Sequence, residues 1–93
     1  MLSPLSRFAI PENVLFSTVG DDSFLLNTQT KKYFALEGVG TRFWQLVNED
    51  LLLGEIKNSL LSEYAVEENT LEKDLGDLIT ALLENGLVEL TQR

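Results

Sequence analysis

The stretch VLFSTV-GDD-SFLLN-TQT-KKYFAL, residues 14–36, leaves the chain little choice of fold. Three runs rich in β-branched, aromatic and aliphatic residues are separated by turn-type triplets, the pattern of short strands joined by tight reversals. Such connections are far too short for the crossover that a parallel neighbour needs, so the three strands must form an antiparallel meander. The second strand, 23–27, is then central, and the first (14–19) and third (31–36) are edges. Glu37 and Gly38 break the alternation. From Val39 the apolar positions Val39, Phe43, Leu46 and Val47 follow the helical i, i+4, i+7, i+8 spacing. This helix should stop near Asn48, Glu49 and Asp50. A second helix is expected over 53–64, with Ile56, Leu60 and Tyr64 on one stripe. A third begins near Glu68, with Asn69 and Glu72 spaced for a capping box, and ends at Gly86, a C′ residue. The tail LVEL (87–90) is read as a short extended segment.

The expected class is α+β: a three-stranded antiparallel meander followed by three helices. At 93 residues it should be one domain, 1–93, with its core over about 14–90. On the third helix, Leu75, Leu78 and Leu82 fall within about 40° of Leu71 at 100° per residue. Ala81 and Asp74 lie on one flank, Ile79 and Leu83 on the other. That apolar arc, about 160° or more, is wider than one contact face requires. Either the helix is wedged between sheet and neighbours, the commoner reason, or part of it faces something outside the core. Trp44 lies off the stripe of its helix, and burial in a seam is the commoner fate of such a residue.

Composition narrows the function. With no Cys and no His, disulfides, thiol chemistry and the usual zinc, haem and iron–sulfur sites are excluded. The customary general base and thiol nucleophile are missing as well. The GVG at 38–40 lacks the rest of any phosphate loop and reads as freedom for a strand-to-helix bend. Paired acids such as Glu67/Glu68 and Asp74/Asp77 read as solvated helix surface, and nothing like a calcium loop surrounds Asp21, Asp22 or Asp50. No enzyme, metal or cofactor is expected. Net charge is −8, with residues 51–93 carrying nine acidic groups against three basic. Nucleic-acid affinity rests on Lys and Arg contacts to phosphate, so a DNA-binding winged helix is disfavoured. There is no apolar run near 18 residues and no secretory signal pattern, so no membrane association and a cytoplasmic location are expected.

The third strand stands out. Edge strands are usually blunted by charge, proline, bulges or a covering element. Here Lys31 and Lys32 stand only at the entrance, and Tyr33, Phe34, Ala35 and Leu36 follow without charge or proline. An edge left so open is either covered by the protein's own helix or kept for a partner strand, with pockets beside it choosing the sequence.

The ordered set of features resembles the PqqD-like domain, the recognition element (RRE) of pathways that make ribosomally synthesised, post-translationally modified peptides (RiPPs). These features are the aromatic pair before Leu36, then VG and Phe43-Trp44, the aliphatic-Tyr64-x-Val66 joint, Asp74, and GLV at 86–88. The resemblance spans 14 to about 90. YFALEGVGTRFWQL is most similar to the stand-alone form found beside lasso-peptide maturation enzymes. The namesake that assists pyrroloquinoline quinone synthesis, as a peptide chaperone, typically has Asn where Glu37 stands.

The resemblance implies a winged helix-turn-helix-like fold and a task. A precursor's leader peptide would lie as an added antiparallel strand along Lys31, Lys32, Tyr33, Phe34, Ala35 and Leu36. Its apolar anchors, Tyr, Pro and Leu in lasso leaders, would enter a cleft walled by Leu71, Asp74, Leu75 and Leu78. It also implies a separate leader peptidase, and a cyclase, as further partners.

Overall fold

The computed structural model describes residues 2–91. Its elements are β1 (Arg7–Ala9), β2 (Val14–Val19), β3 (Asp22–Asn27), β4 (Lys32–Glu37), α1 (Val39–Val47), α2 (Leu53–Glu63), α3 (Glu68–Glu84) and β5 (Glu89–Thr91). β2, β3 and β4 form one antiparallel sheet in that order, with β3 in the middle as the short connections require. Phe16, Leu25 and Phe34 stand in one cross-strand row, and Thr18, Ser23 and Leu36 in another. Because side chains alternate, this face meets the helices. Leu25 is wholly buried and Leu36 nearly so. The opposite face leaves Leu15, Val19, Phe24 and Tyr33 exposed.

The third strand begins one residue later than the sequence pattern suggests. Lys31 has φ 64° and closes the four-residue loop 28–31. Four-residue hairpin loops are most often built around a type I turn, and here a left-handed residue ends the loop. Gly38 bends the chain from β4 into α1 at φ 51°, ψ −116°, a conformation that a Cβ disfavours strongly. The bend is fastened by the Gly38 N–H donating to the Asp21 carbonyl at 2.9 Å.

Trp44 fills the seam between sheet and helices. It is wholly buried and meets Phe16 edge-on, with ring centroids 5.6 Å apart and planes at 71°. Among the described residues its indole N–H has no acceptor, so packing alone holds it. Phe43, Ile56, Leu60, Ile79 and Leu82 complete the centre of the core, each contributing about 1.5–3 kcal/mol by leaving water.

The helix ends show where local sequence and tertiary contact share the work. α3 begins at Glu68 with Glu67 as its N-cap and no side-chain cap. Asn69 is already inside the helix, so the capping box read for Asn69 and Glu72 does not form. At α2 the Glu55 carboxylate accepts the Leu52 N–H at 2.8 Å, but leucine has no acceptor to return the bond. The next two orphan donors are instead taken up by the N-terminal segment. Leu53 N–H donates to the Ser6 carbonyl and Gly54 N–H to the Pro4 carbonyl, both at 2.9 Å.

α3 closes as the sequence indicates. Gly86, at φ 67°, donates to the Leu83 carbonyl, and Leu87 N–H donates to the Leu82 carbonyl at 2.9 Å, the two bonds of a Schellman motif. The tail does extend, as β5, and it has a partner that the sequence reading did not foresee. β1 pairs with it antiparallel, Phe8 opposite Leu90. Phe8 is buried and packs edge-to-face on Phe43 at 6.0 Å.

Candidate functional site

The phase of the sheet ladder decides which backbone groups of β4 are free. In an antiparallel sheet, hydrogen-bonded and non-bonded pairs alternate. The bond from Gly38 to Asp21 makes that pair a bonded one, and Thr28 N–H to the Asn13 carbonyl sets a consistent phase on the other side of β3. Counting by twos through the register, Leu36, Phe34 and Lys32 exchange bonds with Ser23, Leu25 and Asn27. The N–H and C=O groups of Tyr33, Ala35 and Glu37 therefore face outward, and among the described residues β4 has no second strand beside it. Their side chains are exposed, while Phe34 is half-buried and Leu36 buried.

Next to this edge lies a cleft of about 130 Å³ lined by Val39, Gly40, Val66, Thr70, Leu71, Asp74, Leu75 and Leu78. That volume is about four times the ~30 Å³ that a water occupies in the liquid, enough for one apolar side chain. All four α3 residues expected as a wall line it. Two of them, Leu71 and Leu75, are core residues at 3% and 5% exposure and form its floor. Leu78, half-buried, and Asp74, exposed, form the accessible side.

The edge and the cleft meet at Gly40. A Cβ placed there would lie 3.5 Å from Leu36 Cβ and 3.9 Å from Leu78 Cδ2. Of the β4 residues, Leu36 is the one that reaches this junction; Lys31, Lys32, Tyr33, Phe34 and Ala35 run along the edge without lining the cleft. The sequence reading missed Val39, Gly40, Val66 and Thr70 as lining residues. In sequence Val66 belongs only to the joint before α3; in the fold it is an apolar residue 38% exposed, which marks a surface left open.

Two ion-pair clamps hold the wall in place. Arg42 Nε and Nη2 donate to the Glu63 carboxylate at 2.8 and 2.9 Å, tying α1 to the end of α2. This bidentate bond raises the Arg42 pKa and lowers that of Glu63. Lys57 Nζ reaches Glu68 at 2.8 Å and Glu72 at 3.1 Å, tying α2 to the first turns of α3. Hydrogen bonds to those two carboxylates raise the Lys57 pKa.

A larger cavity of about 410 Å³ lies on the neighbouring flank of α3, under the N-terminal segment, and includes Pro4, Lys57, Leu75 and Ile79. It contains no residue near β4, whereas the smaller cleft includes Val39 and Gly40, which follow directly on the end of that strand, so the smaller cleft is the one beside the free edge. Among the described residues no group of three or more His, Cys, Asp or Glu is placed to hold a metal ion, and no helix is long and apolar enough to cross a membrane.

Residues 22–88 match the family described as Coenzyme PQQ synthesis protein D (PqqD). The chain belongs to the PqqD family. The matched segment runs from the start of β3 to just before β5, so the free edge, the cleft and both clamps are PqqD-family structure, whereas β1 and β2 lie outside it. One solved structure similar to this PqqD-family chain is TbiB1 in complex with the TbiA(beta) leader peptide. It is 38% identical, with TM-score 0.80, over 86% of this chain and 93% of that one. A second is lasso peptide synthetase B1 complexed with the leader peptide, at TM-score 0.79, over 89% of this chain and 98% of that one. At 24% identity this second likeness is one of fold alone. No curated protein matches the chain significantly.

Proposed function

We propose that this protein binds the leader segment of a ribosomally made precursor peptide and presents it to separate maturation enzymes. The leader adds as an antiparallel strand to β4, with its backbone bonded to Tyr33, Ala35 and Glu37. An apolar anchor enters the cleft beside Leu78. The observation that carries the reading is the unpaired edge of β4, uncharged in its middle, ending at Leu36 beside an apolar cleft that opens at Gly40. The PqqD-family match and the 38% identical relative, solved with a leader peptide, support it.

The protein performs no chemistry itself in this reading and needs no cofactor. A leader peptidase, and a cyclase, act on what it holds, in the cytoplasm, and tethering raises the local concentration of the attached core peptide. A short strand buries little area and loses chain entropy on ordering, so affinity rests on one or two anchors.

Titration of a fluorescently labelled leader peptide, taken from a short precursor reading frame beside the gene, tests this by anisotropy. Saturable binding is expected. Leu78→Asp should weaken it at least about tenfold, because an anchor worth about 1.5–3 kcal/mol then faces a charge. Leu75→Asp is the wrong probe: at 5% exposure Leu75 belongs to the core, and its loss reports on folding. No saturation by any leader in the gene neighbourhood, or full affinity in folded Leu78→Asp, removes the reading.

A further inference from the structure

The free edge is electrically polarised. Of the six described Lys and Arg residues, Arg7, Arg42, Lys57 and Lys73 sit in ion pairs. Lys31 and Lys32 have no carboxylate within 4 Å among the described residues, and both stand at the start of β4. At the far end of the same strand are Asp21, Asp22 and Glu37, also outside those ion pairs, brought together because Asp22 pairs with Glu37. Three carboxylates there outweigh the half-charge of the α1 N-terminus. At about 3.4 Å per residue the two ends lie some 17 Å apart, beyond the ~8 Å screening length at physiological salt, so each end acts on its own neighbour.

Lys31 also occupies a backbone position, φ 64°, that glycine or asparagine would adopt more easily. A lysine kept in a disfavoured conformation at the mouth of an open edge points to a use for its charge.

Resting on the leader-binding reading above, we infer that the edge selects the direction and the flanking charge of its peptide. A strand antiparallel to β4 runs from beside Glu37 towards Lys32. Its C-terminal flank, the side that leads to the core peptide, therefore passes Lys31 and Lys32. The fitting partner is an extended apolar peptide with Asp or Glu just after the strand and with neutral or basic residues before it. Both lysines are exposed, so each charge pair is individually weak. Their combined effect is on orientation and on the point where the core peptide emerges, at the β3–β4 hairpin.

The test uses two synthetic peptides sharing the natural leader strand. One carries Lys-Lys before it and Asp-Asp after it, and in the other these flanks are exchanged. Both are titrated against the full-length protein at low salt and at about 0.5 M salt, where the screening length is only a few ångströms. The first peptide should bind about five- to tenfold more tightly at low salt, with the difference largely lost at high salt. In Lys31→Glu/Lys32→Glu, where both ends of the edge are acidic, the preference should be lost, and in Lys31→Gly, which suits the left-handed position, it should shrink while the fold is kept. Equal binding of the two peptides, or preference for the exchanged one, overturns the inference and leaves the leader-binding reading standing. Failure of both peptides together with the unmodified leader removes that reading itself.

Discussion

Ala35→Pro will weaken leader binding about a hundredfold and leave the fold standing, whereas Phe34→Pro, one residue earlier, will strongly destabilise the protein. The contrast follows from the ladder phase. The Ala35 N–H faces the free edge, so proline there removes no bond that the folded chain uses. Its exposed side chain leaves room for the ring, and edge strands accept proline where the missing N–H faces outward. For an incoming strand the ring occupies the place of a donor and pushes the backbone away, costing two or three ladder bonds at about 1 kcal/mol each. Affinity should fall about a hundredfold.

At Phe34 the N–H belongs to the pair with Leu25, in the middle of the sheet. Proline there deletes a ladder bond and strains the strand, costing about 3 kcal/mol or more, a large share of the ~5–15 kcal/mol that stabilises a native domain. The single tryptophan, Trp44, is wholly buried and reports folding through its emission. Anisotropy with the labelled leader reports binding on the same samples. Wild-type affinity in folded Ala35→Pro would mean that the peptide does not add to this edge.

An edge this open also carries a hazard, since it can pair with another copy of itself. The protective charges here sit at the two ends of β4 and not along it, which leaves the middle usable. Net charge of −8 adds general repulsion between copies. The same end charges that would discourage uncontrolled pairing give a peptide its direction, so one arrangement serves both needs.

Much of this architecture is legible in the sequence because it is local. Turn triplets and period-two runs specify the meander, the helical stripe from Val39 specifies α1, and Gly86 specifies the end of α3. The cleft wall is less so: the broad apolar arc of α3 fits a wedged helix as well as a cleft, and Leu71, Asp74, Leu75 and Leu78 are singled out by the family resemblance and not by periodicity. What escapes is what depends on distant partners. Arg7–Ala9 is three residues between prolines at 4 and 11, a pattern that reads as loop, and it becomes a strand only because Glu89–Thr91 lies beside it. The capping of α2 by backbone carbonyls of residues 4 and 6 leaves no side-chain signature. The division of the wall into floor (Leu71, Leu75) and rim (Asp74, Leu78) needs the position of α2 and the sheet, which periodicity does not supply.

Asn27 is the clearest case of a residue whose weight is invisible in sequence, and its replacement by leucine should cost about 3 kcal/mol or more. It reads as an ordinary strand-ending asparagine, yet it is only 4% exposed and joins three parts of the fold. Its Oδ1 accepts the N–H groups of Gln29 and Thr30 at 2.9 and 3.2 Å, and Asn13 Nδ2 at 2.9 Å. Its Nδ2 donates to the Asn85 carbonyl at 2.9 Å, at the end of α3. Leucine matches the size but strands these partners, and each buried group left without a hydrogen bond costs about 1–3 kcal/mol. In urea, followed by Trp44 emission, the midpoint should drop with the slope unchanged.

Asn27→Asp separates the two halves of the hub. It keeps the acceptor that organises the 28–31 loop but turns the donor end into a carboxylate facing the Asn85 and Gly86 carbonyls. Burial and those carbonyls would hold its folded pKa above the unfolded ~3.9. The penalty should therefore be complete above the folded pKa and disappear below the unfolded one, so this variant gains stability on acidification relative to the wild type at the same pH. Wild-type midpoints in both variants would show that the sheet and α3 are held together by apolar packing alone. Loss in both, with partial recovery of the aspartate form in acid, would show that one amide fixes the hairpin carrying Lys31 and Lys32 to the helix that walls the cleft.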